Sequence, residues 1–233
     1  MKKARKVLAL MLAFVLTVSL SIAGTIAYLT DTDNENNVFT IGNVEIDLEE
    51  TFVQNSKLFP GVDVNKDVWV ENTGSEDAFV RVHIAIPSML DSGSEDQPQY
   101  AAYNNTLHFN FTSDTVADGK WNWNKNADGA NYPDNGGDWN EYQQEIGGIL
   151  YNVYVVTYET ALAKDGTTVN VMDKVYLDKT VTNEMVTEIK AVLGENWNIK
   201  IVAEGGQVAG FEGKPYEALN TQFGVPGTYN PFA

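Results

Sequence analysis

The sequence predicts an all-β chain: an antiparallel two-sheet jelly-roll-like β-sandwich with one or two short helices, preceded by a cleaved signal helix. Three observations lead there. Apolar and polar residues alternate with a period of two in most regular segments, which gives a strand one dry and one wet face. Turn formers at Pro60-Gly61, Asn72-Thr73-Gly74, Asp165-Gly166 and Gly205-Gly206 punctuate those runs. Removal of residues 1–27 leaves 206 residues, enough for one sandwich domain with a substantial core, and no linker, repeat or low-complexity tract divides residues 28–233.

The N-terminal segment is justified first. Lys2, Lys3, Arg5 and Lys6 form a basic head, and Val7 to Ala23 is a 17-residue stretch without charge. A stable membrane span needs about 20 apolar residues, so this run suits a removed signal helix better than an anchor. Any membrane contact is then through the uncleaved helix. Small-x-small cleavage sites occur at Ser21-Ile22-Ala23 and at Thr25-Ile26-Ala27. The C-terminal residues have neither an apolar tail nor a basic end, so no second anchor is expected there.

The strands follow in order. Val44, Ile46 and Leu48 alternate with Glu45, Asp47 and Glu49; Val80, Val82, Ile84 and Ile86 alternate with Arg81, His83 and Ala85 until Pro87 ends the ladder. Leu107, Phe109 and Phe111 alternate with His108, Asn110 and Thr112. Leu150 to Tyr158 is apolar on both faces and reads as a central strand. Trp197, Ile199, Ile201 and Ala203 alternate with Asn198, Lys200 and Glu204 in a late strand, and Asp67 to Glu71 and Val169 to Leu177 are shorter ones. Thr182 is placed to cap a helix whose apolar positions Met185, Val186, Ile189, Val192 and Leu193 recur at helical spacing, with Gly194 at its end. A second helix begins with Pro215 at its first position and closes at Gly224. Residues 91–145, rich in Asn, Asp, Gly, Tyr and Trp, form an irregular insertion in which a hairpin or two is expected.

Composition narrows the function. The chain has 15 Lys+Arg and 32 Asp+Glu, and the basic head takes four of the positive charges, leaving 11 against 32, a net of −21. Such a surface repels nucleic acid and anionic membrane. The absence of cysteine excludes a disulfide scaffold, thiol catalysis and thiolate metal sites, and it fits export from a Gram-positive cell.

Certain runs carry a resemblance. Gly24-Thr-Ile-Ala-Tyr-Leu-Thr-Asp31, Val38-Phe-Thr-Ile-Gly-Asn-Val-Glu-Ile46, Leu58-Phe-Pro-Gly61, Lys66-Asp-Val-Trp-Val-Glu-Asn-Thr-Gly74 and Ala78-Phe-Val-Arg-Val82 look like the start of the TasA/camelysin family of exported Gram-positive proteins. Ala203 to Phe211 and Ala218-Leu-Asn-Thr-Gln-Phe-Gly224 are similar to its ending, whereas residues 90–190 show no such likeness. The resemblance implies a jelly-roll-like sandwich, cleavage between Ala27 and Tyr28 by a SipW-type signal peptidase, and a biofilm-matrix or surface fibre subunit whose partners are itself or related subunits. It also implies that the mature N-terminus, from Tyr28 to about Val38, is donated as a strand to the next subunit. Within that segment Tyr28 and Leu29 are the residues able to fill pockets, because Asp31 to Asn37 is polar on both faces.

The family also carries a metallopeptidase label, so the catalytic alternative is set against the residues. A zinc peptidase site on a helix needs two histidines four apart, so that both imidazoles meet one ion. This chain has His83 and His108, 25 residues apart in two expected strands, and both read as solvent-facing. No Gly-x-Ser-x-Gly turn is present for a hydrolase nucleophile. No catalytic residue and no cofactor is assigned. Asn124-x-Asn126-x-Asp128-Gly129 echoes half of an EF-hand loop but has Asn135 where a bidentate Glu is needed. Asp128, Asp134 and Asp138 stand as candidate Ca2+ ligands against a plain polar turn. Trp121, Trp123, Tyr132, Trp139 and Tyr142 stand as a sugar-stacking platform against ordinary packing. The expected function is a secreted structural matrix protein, with a polysaccharide- or protein-binding module as the alternative.

Overall fold

The computed structural model describes residues 43–53, 56–91, 106–110, 120–123, 126–130, 142–194 and 197–233. They lie within the compact unit Gly42–Ala233. Nine strands and two helices occur among them in the order β1 (Ile46–Thr51), β2 (Val64–Asn72), β3 (Ala78–Pro87), β4 (Leu107–Asn110), β5 (Trp121–Asn122), β6 (Tyr142–Ile146), β7 (Ile149–Tyr158), β8 (Met172–Leu177), α1 (Asn183–Leu193), β9 (Lys200–Gln207) and α2 (Pro215–Phe223).

The strands form two antiparallel sheets, one ordered β1-β2-β8-β4 and the other β5-β7-β3-β9, with β6 also paired to β7. The alternation sets the register. In β3, Val80, Val82, Ile84 and Ile86 point between the sheets and meet Val68 and Val70 of β2, Leu107 and Phe109 of β4 and Val175 and Leu177 of β8 in one core. The β7 run that is apolar on both faces is central, flanked by β3 on one side and by β6 and β5 on the other. Gly147 and Gly148, both at positive φ, make the tight turn between β6 and β7, the geometry a two-residue hairpin loop requires.

Both helices sit where the sequence predicts. Thr182 accepts a hydrogen bond from the Met185 amide, Gly194 caps the other end of α1, and Ile189 and Leu193 enter the main core. The second helix, α2, starts on Pro215, is capped by Gly224, and lays Ala218 and Leu219 on Phe79. It packs on the outer face of the second sheet, so β3 is buried on both faces along all ten residues.

One expected breaker is not a turn. Gly205 and Gly206 lie inside β9, paired with Val80 and Phe79. A Cβ on Gly205 would stand 2.8 Å from Ile46 Cγ2 of β1, and one on Gly206 3.2 Å from Leu219 of α2. The glycines are there because both faces of the strand are closely approached. Gly205→Val is expected to lower stability by about 1–3 kcal/mol through overpacking. Urea unfolding measures it, and Ile46→Ala in the same chain should return part of the loss.

Candidate functional site

The densest polar arrangement lies on the outer face of the second sheet, beneath α2 and residues 225–233. Strand alternation places Arg81 and His83 side by side on that face of β3, and β9 brings Glu204 opposite Arg81. All three are buried, Arg81 at 1% exposure, His83 at 0% and Glu204 at 7%. This corrects the expectation of a solvent-facing His83 and of Glu204 on a wet strand face. The physical reason is the third layer formed by α2 and the segment after it.

Arg81 donates four hydrogen bonds. Its Nε donates to Glu204 Oε2 at 2.5 Å, Nη1 to Asn220 Oδ1 at 2.7 Å, and Nη2 to the Gly224 carbonyl at 2.9 Å and the Tyr229 hydroxyl at 2.7 Å. Tyr229 in turn donates to Glu204 Oε1 at 2.6 Å. The guanidinium thus ties β3 to β9, to the C-terminal end of α2 and to the following segment, which suits its planar five-donor fork. Asn220 extends the network by donating to the Ala127 carbonyl and Asp128 Oδ1.

His83 Nε2 lies 3.1 Å from Glu204 Oε2, and the Tyr142 hydroxyl lies 3.3 Å from His83 Nδ1. Tyr142, Tyr229 and Phe232 surround the imidazole edge-on, with ring centroids 6.3, 6.3 and 6.4 Å away. Burial pushes the His83 pKa below its ordinary value, against the upward pull of Glu204 and together with the Arg81 charge. A neutral ring fits this site with Nε2–H donating to Glu204 and Nδ1 accepting from Tyr142. Burial alone would raise Glu204; the hydrogen bond from His83, the Arg81 charge and the Tyr229 hydroxyl overcome that and hold its carboxyl well below the usual carboxylate range.

His108 is also buried, at 6% exposure, again against expectation. It sits on the first sheet, stacked on Tyr176 at 4.8 Å with Nε2 at 3.0 Å from Asp178 Oδ2. The two histidines are thus in different sheets, each held by its own carboxylate. Among the described residues no three or more His, Cys, Asp or Glu side chains are grouped to hold a metal ion. The residues present there do not fit a zinc centre, which needs convergent donors with an open position.

Asn126 Oδ1 accepts from the Asp128 and Ala130 amides, so this half of the EF-like stretch is an Asx turn, and one oxygen of the exposed Asp128 faces Asn220. Asp134 and Asp138, like the cleavage pair Ala27 and Tyr28 and the donor residue Leu29, lie outside the described residues. Trp121 and Trp123 belong to the main core, at 1% and 6% exposure, and their faces are not available to a sugar. One buried acid gave no sequence signal. Asp91 accepts from the Tyr154 hydroxyl and from Asn152 Nδ2, and nothing in its place in an irregular insertion marks it as buried.

Residues 2–111 match the family model described as camelysin metallo-endopeptidase, a span that includes β1 to β4, Arg81 and both histidines. No curated protein and no solved structure matches the chain. Over that span, which supplies β1, β2 and β4 of the first sheet and β3 of the second, the chain is similar to the TasA/camelysin family.

Proposed function

We propose that the chain is a secreted, non-enzymatic structural protein of a Gram-positive extracellular matrix, a TasA-like subunit that assembles with itself or related subunits by donating its N-terminal segment as a strand. In this reading a SipW-type peptidase releases the mature chain at Tyr28. The observation that carries it is the state of the two histidines. Each is buried in a different sheet and held by its own carboxylate, so the chain's two histidines act here as parts of the framework. The likeness of residues 2–111 to the family and the antiparallel sandwich support the same reading, since an added strand needs a sheet edge with which to pair. The family description favours a peptidase, and that reading requires ligands from residues outside those described.

The test compares the chain beginning at Tyr28 with one beginning at Val38, by sedimentation and electron microscopy at rising concentration and by thermal unfolding. The segment Tyr28–Asn37 has too few apolar residues to order itself, so its order should arise only in the polymer. The longer chain should form fibres, and the shorter should stay monomeric with an unchanged unfolding temperature. Equal polymerisation of both would refute strand donation, and unfolding of the shorter chain would place the segment in its own sandwich. Stoichiometric zinc in the purified protein, with casein cleavage lost in His108→Ala while the fold persists, would establish the peptidase instead.

A further inference from the structure

We infer that residues 225–233 form a strap across the outer face of the second sheet, latched by the His83 cluster and released, with the sandwich intact, when His83 is protonated. The strap is built differently from the elements around it. Two of its amides are bonded within the strap, Thr228 N–H to the Val225 carbonyl and Phe232 N–H to Asn230 Oδ1, and among the described residues it pairs with no strand. Pro226 is buried and Tyr229 and Phe232 are half-buried, while Val225, Gly227, Thr228 and Asn230 face solvent. Its hold on the body therefore runs through side chains: the Tyr229 hydroxyl between Arg81 and Glu204, and the Phe232 ring against His83.

The charged and titratable groups facing His83 come from each packed element. Arg81 is its neighbour on β3, Glu204 lies on β9 with Lys200 further along the same face, Tyr142 is on β6 and Tyr229 on the strap. From β7 the residue opposite is Val155, with Tyr151 near the other end of that face. Glu204 already balances Arg81, and both its oxygens are engaged. A proton on His83 would add a second cation to this dry cluster, where Glu204 already accepts from Arg81 and Tyr229, and where Asp128, the other carboxylate described in the network, is exposed and engaged by Asn220. A buried charge without its own counter-charge is strongly unfavourable. Hydration of the ring requires one cover to move. Strands β7 and β9 are bound to β3 by backbone ladders and Tyr142 is anchored by the β6–β7 ladder, so the strap is the cover whose displacement breaks fewest backbone bonds.

The sign follows from linkage. A histidine whose folded pKa lies below its unfolded value keeps its stabilising contribution above that unfolded value, near 6.5, and loses it as pH falls below. Here the loss should be local. Hydrogen exchange of the full chain at pH 7.5 and 5.5, corrected for intrinsic rates, should show protection at Thr228 and Phe232 falling at least about tenfold while β3 and β7 amides keep theirs. The fall should disappear in His83→Gln. By reciprocity, Phe232→Ala should raise the His83 pKa followed by imidazole NMR. Equal strap protection at both pH values would overturn the inference, as would loss shared with β3 and β7, pH dependence surviving in His83→Gln, or an unmoved His83 pKa in Phe232→Ala. The last measurement stands even if His83→Gln fails to fold.

Discussion

Arg81→Met is expected to lower the free energy of unfolding by about 3–5 kcal/mol, because it removes one partner of a buried ion pair and leaves Glu204 at 7% exposure without its counter-charge. The same change strands the Asn220 Oδ1 and Gly224 carbonyl acceptors. Adding Glu204→Met should restore much of the loss, since two well-packed apolar side chains can replace an ion pair at little net cost. Arg81→Lys should fall between, because an ammonium cannot reproduce a planar fork that reaches four partners. Denaturant unfolding of the wild type, Arg81→Met, Glu204→Met and the double variant measures the coupling. Additive losses for Arg81 and Glu204 would show that the pair does not act as a unit. Acid provides a parallel check on Glu204. Its pKa is depressed, so its contribution is fully present above the unfolded value of 4.5 and is lost as pH falls through the lower folded value.

This cluster shows which parts of the protein can be read from sequence. The even residues of β3, the caps at Thr182 and Gly194 and the Pro215 start of α2 follow from period, capping chemistry and ring geometry, all of which act within a few residues. Arg81, His83 and Glu204 look like the wet side of two amphipathic strands because nothing local announces the layer that α2 and residues 225–233 place over them. Gly205-Gly206 misleads for the same reason. A glycine pair reads as a turn, and only the approach of Ile46 from one face and Leu219 from the other explains it within a strand. The β6 strand was legible only as a hairpin expected somewhere in 91–145, although Gly147-Gly148 between isoleucines marks its turn.

The family name and the residues pull in different directions. The matched span includes Arg81, His83 and His108, whereas Glu204, Asn220 and Tyr229, which hold Arg81 in place, come from beyond it. The arrangement joins the N-terminal strands that the family match covers to the C-terminal part of the chain. A buried arginine with four partners from three segments specifies how those segments dock. That is a task of architecture, and it requires neither a vacant metal position nor an exposed imidazole.

Trp121→Ala is expected to cost about 3–5 kcal/mol, the range for truncating a large buried aromatic. Trp121 is 1% exposed, packs edge-on to Tyr158 at 4.8 Å, and donates its indole N–H to the Val169 carbonyl at 2.8 Å. As half of the two-residue β5, it is held to β7 through that ring as well as through its ladder. Truncation would therefore leave a cavity and an orphaned carbonyl, and would loosen the attachment of residues 121–122 to the second sheet. Trp121→Phe keeps most of the apolar area but loses the hydrogen bond, and should cost about 1–3 kcal/mol. The measurement is urea unfolding followed by circular dichroism, with polysaccharide binding assayed on the folded variants. If Trp121→Ala unfolds with the wild-type midpoint yet no longer binds a polysaccharide that the wild type holds, the ring is a ligand platform and not a core residue. If stability falls as expected, a carbohydrate-binding role would have to be built from aromatic residues other than this one.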